Sequence, residues 1–477
     1  MHDYTYDLIV LGSGPAGEKA AVKAAYFKYK VALVEKESKA GGAGVNTGTL
    51  PSKTLKETAL FFSAKYVKGL YGLNRELEHP ASAKEFLYRK NVVCSMQAAA
   101  VESNINRHEV TFLKGVGSFD DPHTIRIKGS SEERTITGKF IIIATGSYPY
   151  HPADIPFDGK RVLDSDTILE ITDFPKSLCI VGAGVIGCEY ATIFSTMGTK
   201  VYLVNNSGVI LSFLDKAISN ELVEQMKRDK IEILFNTAIQ TMTVPKGRKK
   251  PIEISLKNGK VLNVDMFLYA AGRNGGTNFL KCENAGIKVG KRELLEVDSQ
   301  YRTSVSHIFA VGDVIGFPAL ASTSMDQGRV AVAHMFDKRS SRRPGDLDQL
   351  GKVIPYGVYT VPEVSCVGKS EEDAKKEGLT YCIGIARYRD MPRGQIMGAT
   401  EGFLKLVFTS EDFVIRGVHI IGPLATELIH YGVTLIENEK TLGQVIAAVF
   451  NFPTLHDLYK YACYDGLGNA SGHKVKD

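Results

Sequence analysis

The sequence predicts an α/β protein with two Rossmann-type βαβ modules and a carboxy-terminal α+β domain. Two observations predict the modules: the strand, glycine turn, helix and strand in YDLIVLGSGPAGEKAAVKAAYFKYKVALVEK, and the same order in SLCIVGAGVIGCEYATIFSTMGTKVYLVN. A third observation predicts the last domain. After Pro344, the segments IPYGVYT, CIGIARY, FLKLVFT and VIRGVHIIG are typical of antiparallel strands, and two helical segments follow them.

Composition and charge argue against several classes of protein. The 477 residues are 44% hydrophobic and 23% charged, which is typical of a globular chain with about three domains. A net charge of +5, spread along the chain, does not favour nucleic acid as a partner. No run of about 18 apolar residues predicts a membrane span, and the amino terminus enters a strand without the features of a signal peptide. We therefore expect a cytoplasmic protein without nucleic-acid or membrane partners.

The first glycine-rich turn, GSGPAG, predicts a bound dinucleotide. Gly12 permits the tight turn, Gly14 allows a pyrophosphate to approach the backbone, and Gly17 allows the helix to pack closely on the strand. The amino terminus of that helix supplies partial positive charge to the phosphates. Glu35 ends the next strand, where a carboxylate can accept hydrogen bonds from ribose hydroxyls. The alternative is a glycine turn that arose by chance.

The second glycine-rich turn, GAGVIG, predicts another nucleotide site. Gly182, Gly184 and Gly187 occupy the three glycine positions, and Glu189 follows on the helix. The next strand ends at Asn205, where an acid would repel the 2′-phosphate of NADP and arginines would attract it. Because a neutral amide does neither, we predict a site that accepts both NAD and NADP. The alternative is a site that prefers one of them through residues not evident in the sequence.

The segment HIFAVGD predicts a short buried strand that ends in Asp313. A carboxylate at such a strand end can bind the ribityl chain of a flavin, so we predict that the first dinucleotide is FAD. The alternative is a buried aspartate whose hydrogen bonds are all made within the protein. Gly146, in the ATG that follows FIII, is expected where the first module closes against the second.

Together these patterns resemble the pyridine nucleotide–disulfide oxidoreductase family over nearly the whole chain. The resemblance is carried by GSGPAGEKAA, GTLPSKTLKE, ATGSYPYHPADI, LDSDTIL, GAGVIGCEYATIF, AVGDVIGFPALAS, YTVPEVSCVGK and FNFPTLHDLY. It implies an FAD-binding domain at 1–150 and 271–345, an NAD(P)-binding domain at 151–270 and a dimerisation domain at 346–477. A homodimer, with larger homo-oligomers left open, is therefore expected. The polar residues 335–348 and 469–477 are expected to be a linker and a tail.

The resemblance also implies roles for individual residues. Contacts to FAD are expected at Gly12, Gly14, Gly17, Glu35, Gly44, Lys53, Gly146 and Asp313, and contacts to the nicotinamide nucleotide at Gly182, Gly184, Val185, Gly187 and Asn205. Lys53 would pair with Glu189 beside the flavin N5, where a compensated cation favours the arrival of electron density, so these two are the predicted catalytic residues. The alternative for Lys53 is an exposed helix charge. Val185 stands where relatives often carry an aromatic side chain, so the nicotinamide pocket is expected to be easier to enter.

The residues that reduce a disulfide in this family are missing. Relatives carry two cysteines in the segment GGAGVNTGTLPSK, at places that hold Gly44 and Thr49 here. The histidine base of relatives is replaced by Phe452, and His456 is expected to be a surface or interface histidine. The cysteines are expected to be free thiols in a reducing compartment. They are Cys94, Cys179, Cys188, Cys282, Cys366, Cys382 and Cys463.

Without these groups, hydride that reaches the flavin has only the nicotinamide face as an efficient exit. The resemblance therefore implies an NAD(P)+ transhydrogenase, which moves hydride reversibly between NADPH/NADP and NADH/NAD through bound FAD by a ping-pong route. One alternative is an NAD(P)H:quinone reductase or diaphorase of the same fold. Another is a non-catalytic redox-sensing protein that binds FAD and NAD(P). Dihydrolipoamide dehydrogenase activity is disfavoured by Gly44 and Thr49.

Overall fold

A computed structural model describes residues 3–68, 70, 81–247, 250–336 and 349–472. The strands are β1 (Tyr6–Leu11), β2 (Val31–Glu35), β3 (Thr111–Lys114), β4 (Val116–Asp121), β5 (Thr124–Lys128), β6 (Glu133–Ile143), β7 (Ser147–Pro149), β8 (Val162–Asp164), β9 (Ser177–Val181), β10 (Lys200–Val204), β11 (Glu232–Leu234), β12 (Ile239–Thr243), β13 (Ile252–Leu256), β14 (Val261–Val264), β15 (Met266–Tyr269), β16 (Arg273–Gly275), β17 (Ile308–Ala310), β18 (Tyr356–Val358), β19 (Val364–Gly368), β20 (Tyr381–Arg387), β21 (Phe403–Thr409) and β22 (Ile415–Ile421). The helices are α1 (Pro15–Tyr26), α2 (Gly42–Asn46), α3 (Thr49–Ser63), α4 (Ala83–Arg107), α5 (Val185–Thr196), α6 (Lys216–Arg228), α7 (Ala321–Met335), α8 (Glu371–Lys376), α9 (Pro392–Met397), α10 (Ala425–Glu437), α11 (Leu442–Ala447) and α12 (Asp457–Ser471).

The chain forms two compact units. Unit 1 comprises residues 1–54, 87–152 and 272–351, and unit 2 comprises 55–86, 153–271 and 352–477. The division into three domains stays a prediction. Most of the predicted linker, 337–348, and the end of the predicted tail, 473–477, lie outside the described residues.

The main sheet of unit 1 is parallel, in the order β3-β2-β1-β6-β17. Its strand β6 also pairs with β5 in an antiparallel meander that ends in β4. Leu8 to Leu11 of β1 are almost completely buried, as expected for a strand covered on both faces. Because parallel strands end at the same edge, the sheet brings the Gly12 turn, Glu35 and the residues after β17 to one side.

The first sheet of unit 2 is also parallel, in the order β11-β10-β9-β15-β8. The glycine turn at Gly182 follows β9, and Asn205 follows the neighbouring strand β10, so both stand at the same sheet edge. Strands β12, β13 and β14 form a separate antiparallel sheet that the sequence did not predict.

The second sheet of unit 2 is antiparallel, in the order β18-β19-β22-β21-β20. Helix α12 packs against it so closely that a Cβ at Gly384 of β20 would lie 2.0 Å from the carbonyl oxygen of Ala462. The Tyr459 hydroxyl of α12 donates to the Leu428 carbonyl of α10 at 2.8 Å. With two parallel sheets and this antiparallel one, the predicted fold class is confirmed.

Helix α3 begins at Thr49 and has Pro51 in its first turn, where a missing amide hydrogen has no cost. The predicted start of the tail at residue 469 was wrong, because Asn469 and Ser471 still belong to α12. The amide of Asn469 donates to the Ile383 carbonyl at 3.0 Å, a long-range contact that fixes the end of this helix.

An ionic cluster is buried in unit 2. The Nζ atom of Lys405 lies 2.8 Å from each carboxylate oxygen of Asp215 and 2.5 Å from Glu371 Oε2, and the side chains of Lys405 and Asp215 are at most 1% exposed. Asp215 also caps α6 by accepting a hydrogen bond from Ala217 N at 2.9 Å. The cluster therefore joins α6, α8 and β21.

Among the residues that the structure describes, no helix is both long enough and apolar enough to cross a membrane.

Candidate nucleotide and redox site

The first glycine turn leaves room for a ligand at one of its three glycines. Gly12 has a φ of +102°, and a Cβ at Gly17 would lie 1.9 Å from the Gly12 carbonyl oxygen, so internal packing requires both glycines. A Cβ at Gly14 would meet nothing closer than Gly42 Cα at 3.8 Å. The protein itself does not require glycine at position 14, whereas a pyrophosphate on the backbone would.

Glu35 is held by a residue of the same turn that the sequence analysis did not single out. Ser13, between the first two glycines, donates to Glu35 Oε2 from its backbone N at 2.8 Å and from Oγ at 2.6 Å. Glu37 N donates to the other carboxylate oxygen at 2.8 Å. The carboxylate at the end of β2 is therefore fixed beside the phosphate turn, and its remaining lone pairs can accept from ribose hydroxyls.

A cavity of about 550 Å³ opens beside the end of β2. Its lining comprises Lys36, Glu37, Ser38, Lys114, Gly115, Val116, Lys128, Gly129 and Ser130. Gly115 N donates to the Glu35 carbonyl at 2.8 Å, which joins the cavity to the strand end. No motif in the sequence indicated this cavity.

Asp313 lies in the turn after β17, at the same sheet edge. Its Oδ2 accepts a hydrogen bond from Ser147 Oγ at 2.9 Å, and Ser147 in turn accepts one from Arg273 Nε at 2.9 Å. The hydroxyl oxygen of Thr145, beside Gly146, is buried and has no hydrogen-bond partner within the described part of the chain. A buried hydroxyl of this kind is an available partner for a polar ligand.

The second glycine turn, in unit 2, repeats the geometry of the first. Gly182 has a φ of +102°, and a Cβ at Gly187 would lie 1.8 Å from the Gly182 carbonyl oxygen. A Cβ at Gly184 would meet no atom within 4 Å. Here too the packing of the protein does not require a glycine at the middle position. The space in front of α5 suits a second pyrophosphate. Val185, the first residue of α5, is half-buried.

The Asn205 side chain is turned into its own loop. Its Nδ2 donates to Ser207 Oγ at 2.9 Å and to the Val209 carbonyl at 2.8 Å, while Oδ1 accepts from Ala183 N in the glycine turn at 3.4 Å. Because both ends of the amide are engaged, Asn205 fixes the loop that follows β10. Neighbouring Asn206 is exposed.

Glu189 and Lys53, the predicted catalytic residues, lie on α5 and α3. The Glu189 side chain is 2% exposed, and its Oε1 accepts a hydrogen bond from Tyr359 N at 3.0 Å. Lys53 is half-buried, with its Nζ 3.3 Å from Ser52 Oγ, so it is not the fully exposed helix charge of the alternative interpretation. The pairing of Lys53 with Glu189 stays a prediction.

No pair of thiols lies where this family reduces disulfides. Gly44 is in α2, Thr49 begins α3, and all seven cysteines are free, as predicted. Burial raises the pKa of Cys179 to about 12 and that of Cys366 to about 12, so these thiols stay protonated and unreactive at neutral pH.

The position of the general base carries no acid–base group. The Phe452 side chain is 75% exposed. His456, next to the start of α12, lies among aromatic rings, with ring centroids 6.1 Å from Phe450 and 6.2 Å from Tyr431. It is half-buried. Among the described residues, no carboxylate bonds to its ring as one does in a catalytic histidine pair.

Comparison with known proteins agrees with this geometry. Residues 6–328 match the family described as pyridine nucleotide-disulphide oxidoreductase, and residues 354–463 match the dimerisation domain of that family. The chain belongs to the pyridine nucleotide-disulphide oxidoreductase family. This confirms the predicted oxidoreductase with FAD and pyridine nucleotides, and both glycine turns have the space that such nucleotides need.

Curated members of the family are similar over nearly their full length. The chain is 41% identical to the soluble pyridine nucleotide transhydrogenase of Mycobacterium tuberculosis over 465 aligned residues. The alignment covers 96% of this chain and 97% of the relative. It is 40% identical over 476 residues to the protein of that name from Pseudomonas entomophila, with coverage of 98% and 99%.

Solved structures that are less similar in sequence have the same fold. The flavoprotein disulfide reductase RclA from Escherichia coli superposes with a TM-score of 0.83 at 26% identity, over 95% of this chain and 99% of the other. LpdA from Mycobacterium tuberculosis superposes with a TM-score of 0.86 at 23% identity, over 96% and 98%. At that identity the second likeness concerns the fold alone.

Proposed function

We propose that this protein is an FAD-dependent NAD(P)+ transhydrogenase, which moves hydride reversibly between NADPH/NADP and NADH/NAD. One observation carries the proposal: the chain keeps the nucleotide sites of its family but has Gly44 and Thr49 in place of the redox cysteines. Relatives at 40–41% identity are named soluble pyridine nucleotide transhydrogenase, which agrees with it.

The residues of unit 1 would hold FAD. Gly14 leaves the space for the pyrophosphate, Glu35 accepts from the adenosine ribose and Asp313 from the ribityl chain, while Ser13 and Ser147 keep the two carboxylates in place. When bound, FAD supplies the two-electron chemistry that allows hydride to be taken from one nicotinamide and given to another.

The residues of unit 2 would hold the nicotinamide nucleotide. Gly184 leaves the space for its pyrophosphate, and half-buried Val185 leaves the entrance wider than an aromatic side chain would. Lys53 and Glu189 would provide a compensated charge at the reacting face. No general acid or base is needed, because hydride is all that is exchanged, and this agrees with Phe452 at the position of the base.

A steady-state assay tests the function. Purified protein with NADPH and an NAD+ analogue of distinct absorbance is expected to reduce the analogue continuously without any added quinone. Lipoamide with NADH is expected to give no appreciable rate. If NADPH is oxidised only when menadione is present, and menadione is reduced instead of the analogue, the protein is a quinone reductase. If neither acceptor is reduced, the protein is the non-catalytic binding protein.

The Asn205→Asp variant is expected to discriminate against NADPH relative to NADH. A carboxylate cannot donate to Ser207 and the Val209 carbonyl as the amide does, and its charge repels the 2′-phosphate, so kcat/KM for NADPH should fall by about 10-fold relative to NADH. The measurement is kcat/KM for both nucleotides. Asn206→Asp, which adds the same charge at the exposed neighbour, is the matched control and should have a smaller effect. An unchanged ratio in Asn205→Asp would remove this loop from the specificity of the site.

We further infer that the enzyme is a cytoplasmic homodimer. Residues 354–463 match the family's dimerisation domain, and Val449 and Phe452 in this region expose 93% and 75% of their apolar side chains, as a contact surface would. The relatives' name, soluble, supports the compartment. Sizing chromatography near the 52.1 kDa of one chain would contradict the dimer.

A further inference from the structure

A short segment of unit 2, residues 359–363, contacts the helix that carries Glu189. Tyr359 N donates to Glu189 Oε1 at 3.0 Å. Val361 N donates to the hydroxyl of Thr192, one turn further along α5, at 3.1 Å. Thr192 and Val361 are each 1% exposed. Two backbone donors of one segment therefore hold two successive turns of α5.

The same segment ends in a buried ion pair with α3. Glu363 Oε1 lies 2.5 Å from Lys56 Nζ, and each side chain is 6% exposed. The second carboxylate oxygen of Glu363 accepts from Thr426 N at 3.0 Å and from Thr426 Oγ1 at 2.7 Å. Burial alone would lower the pKa of Lys56, but the carboxylates of Glu363 and Glu57 outweigh it and raise the pKa. Lys56 therefore stays charged, and the link persists at neutral pH.

Lys56 stands three residues after Lys53 on the same helix. Residues three apart lie on neighbouring turns of one helix face, so a force that fixes Lys56 also fixes the rotation and height of Lys53. The 359–363 segment is thus bonded to both helices that carry the predicted catalytic pair. A helix shift of 1 Å at a reacting centre can reduce a rate by about 100-fold.

We propose that the 359–363 segment sets the positions of Lys53 and Glu189, with Lys56 and Glu363 as positioning residues that act through them. The proposal rests on the proposed function, in which Lys53 and Glu189 act at the flavin. It extends that function to residues 307 positions apart in the sequence. Lys56 lies in GTLPSKTLKE and Glu363 in YTVPEVSCVGK, which carry the family resemblance, but neither residue is predicted to contact a nucleotide.

The test compares Lys56→Met, Glu363→Gln and the double variant with the wild-type holoenzyme. Each single variant is expected to slow single-turnover oxidation of NADPH by about 10- to 100-fold and to make the reduction potential of the bound flavin more negative, because the Lys53 cation is no longer held in place. The double variant should oxidise NADPH no more slowly than the slower single variant, because both residues act through one link. Lys56→Arg, which keeps the charge, should recover most of the rate and the potential.

Lys65→Met is the matched control. Lys65 also makes an ion pair close to the end of α3, with Asp229, but that pair does not involve the 359–363 segment. It should leave the flavin potential and the rate unchanged. Hydrogen exchange of residues 49–63, measured without any nicotinamide nucleotide, should accelerate in Lys56→Met and not in Lys65→Met.

Three results would overturn the proposal. They are an unchanged flavin potential in a folded Lys56→Met variant, additive losses of rate in the double variant, and no recovery of rate and potential in Lys56→Arg. A lower Tm with unchanged potential would mean that the link is only structural. Should Lys56→Met not fold, Glu363→Gln carries the same test, since it keeps the side-chain size and the acceptor for Thr426. If the wild-type enzyme fails to reduce NAD+ with NADPH, the proposed function fails, while the potential and the hydrogen exchange still decide whether the segment positions α3.

Discussion

The Lys53→Met variant is expected to oxidise NADPH at least about 100-fold more slowly than the wild-type enzyme, with its fold intact. Removing one fixed group that stabilises developing charge typically costs a factor of this size. Lys53 is predicted to lie beside the flavin, where its ammonium offsets the negative charge that arrives with hydride. Methionine keeps the length of the side chain and its helix propensity, so the helix α3 should be unaffected. Stopped-flow absorbance under anaerobic conditions gives the rate.

Two further variants separate this effect from a general one. Glu189→Gln should also slow the reaction, because the neutral amide leaves Lys53 without its predicted counter-charge. Lys84→Met changes an exposed lysine on α4 and should react at the wild-type rate. A Lys53→Met variant that retains the wild-type rate would show that the Lys53–Glu189 pair does not take part in hydride transfer.

Replacing Lys405 with methionine is expected to lower the free energy of unfolding by about 3–5 kcal/mol, the usual cost of removing one partner of a buried ion pair. The side chains of Lys405 and Asp215 are at most 1% exposed, so the carboxylate of Asp215 would remain buried without its cation. Denaturant unfolding measures the change. Lys369→Met breaks the exposed pair of Lys369 with Glu377 and should change the same free energy by about 1 kcal/mol or less.

The loss in Lys405→Met should depend on pH. Burial alone would raise the pKa of Asp215, but His419 and Lys405 hold it below its ordinary value of 3.8. In the wild-type protein this carboxylate therefore contributes stability that is complete above pH 3.8 and is lost as the pH falls through the folded pKa. Without Lys405 the pKa of Asp215 rises, so in the variant this carboxylate is protonated at a higher pH. Protonation removes its uncompensated buried charge. The deficit should shrink as the pH falls from 7 towards the ordinary pKa of 3.8, and a constant deficit would mean that Asp215 is not the group left uncompensated.

The sequence predicted the parts of the fold that depend on local rules. The strand–turn–helix units around Gly12 and Gly182 have close steric requirements, because a side chain at Gly17 or Gly187 would collide with the turn itself. Such requirements appear in the sequence as a fixed pattern. The absence of a cysteine pair is also a local fact, since Gly44 and Thr49 can be read directly.

The contacts that tie distant segments together could not be predicted in this way. In FLKLVFT, Lys405 is typical of a polar residue on the exposed face of a strand, yet it is fully buried because Asp215, 190 residues earlier, compensates it. Lys56 and Glu363 are paired across 307 residues. Helix α12 was missed because its glycines lower helix propensity, and packing on β20 outweighs that cost.

An anaerobic titration of the holoenzyme with NADPH tests most directly whether electrons can leave only by way of a nicotinamide. We expect the flavin absorbance to bleach with the uptake of two electrons per FAD as NADPH is added, and to recover with the formation of NADH when NAD+ is added in excess. Uptake of a second equivalent of NADPH, or electrons that stay on the protein when NAD+ is added, would reveal another redox group and contradict the account.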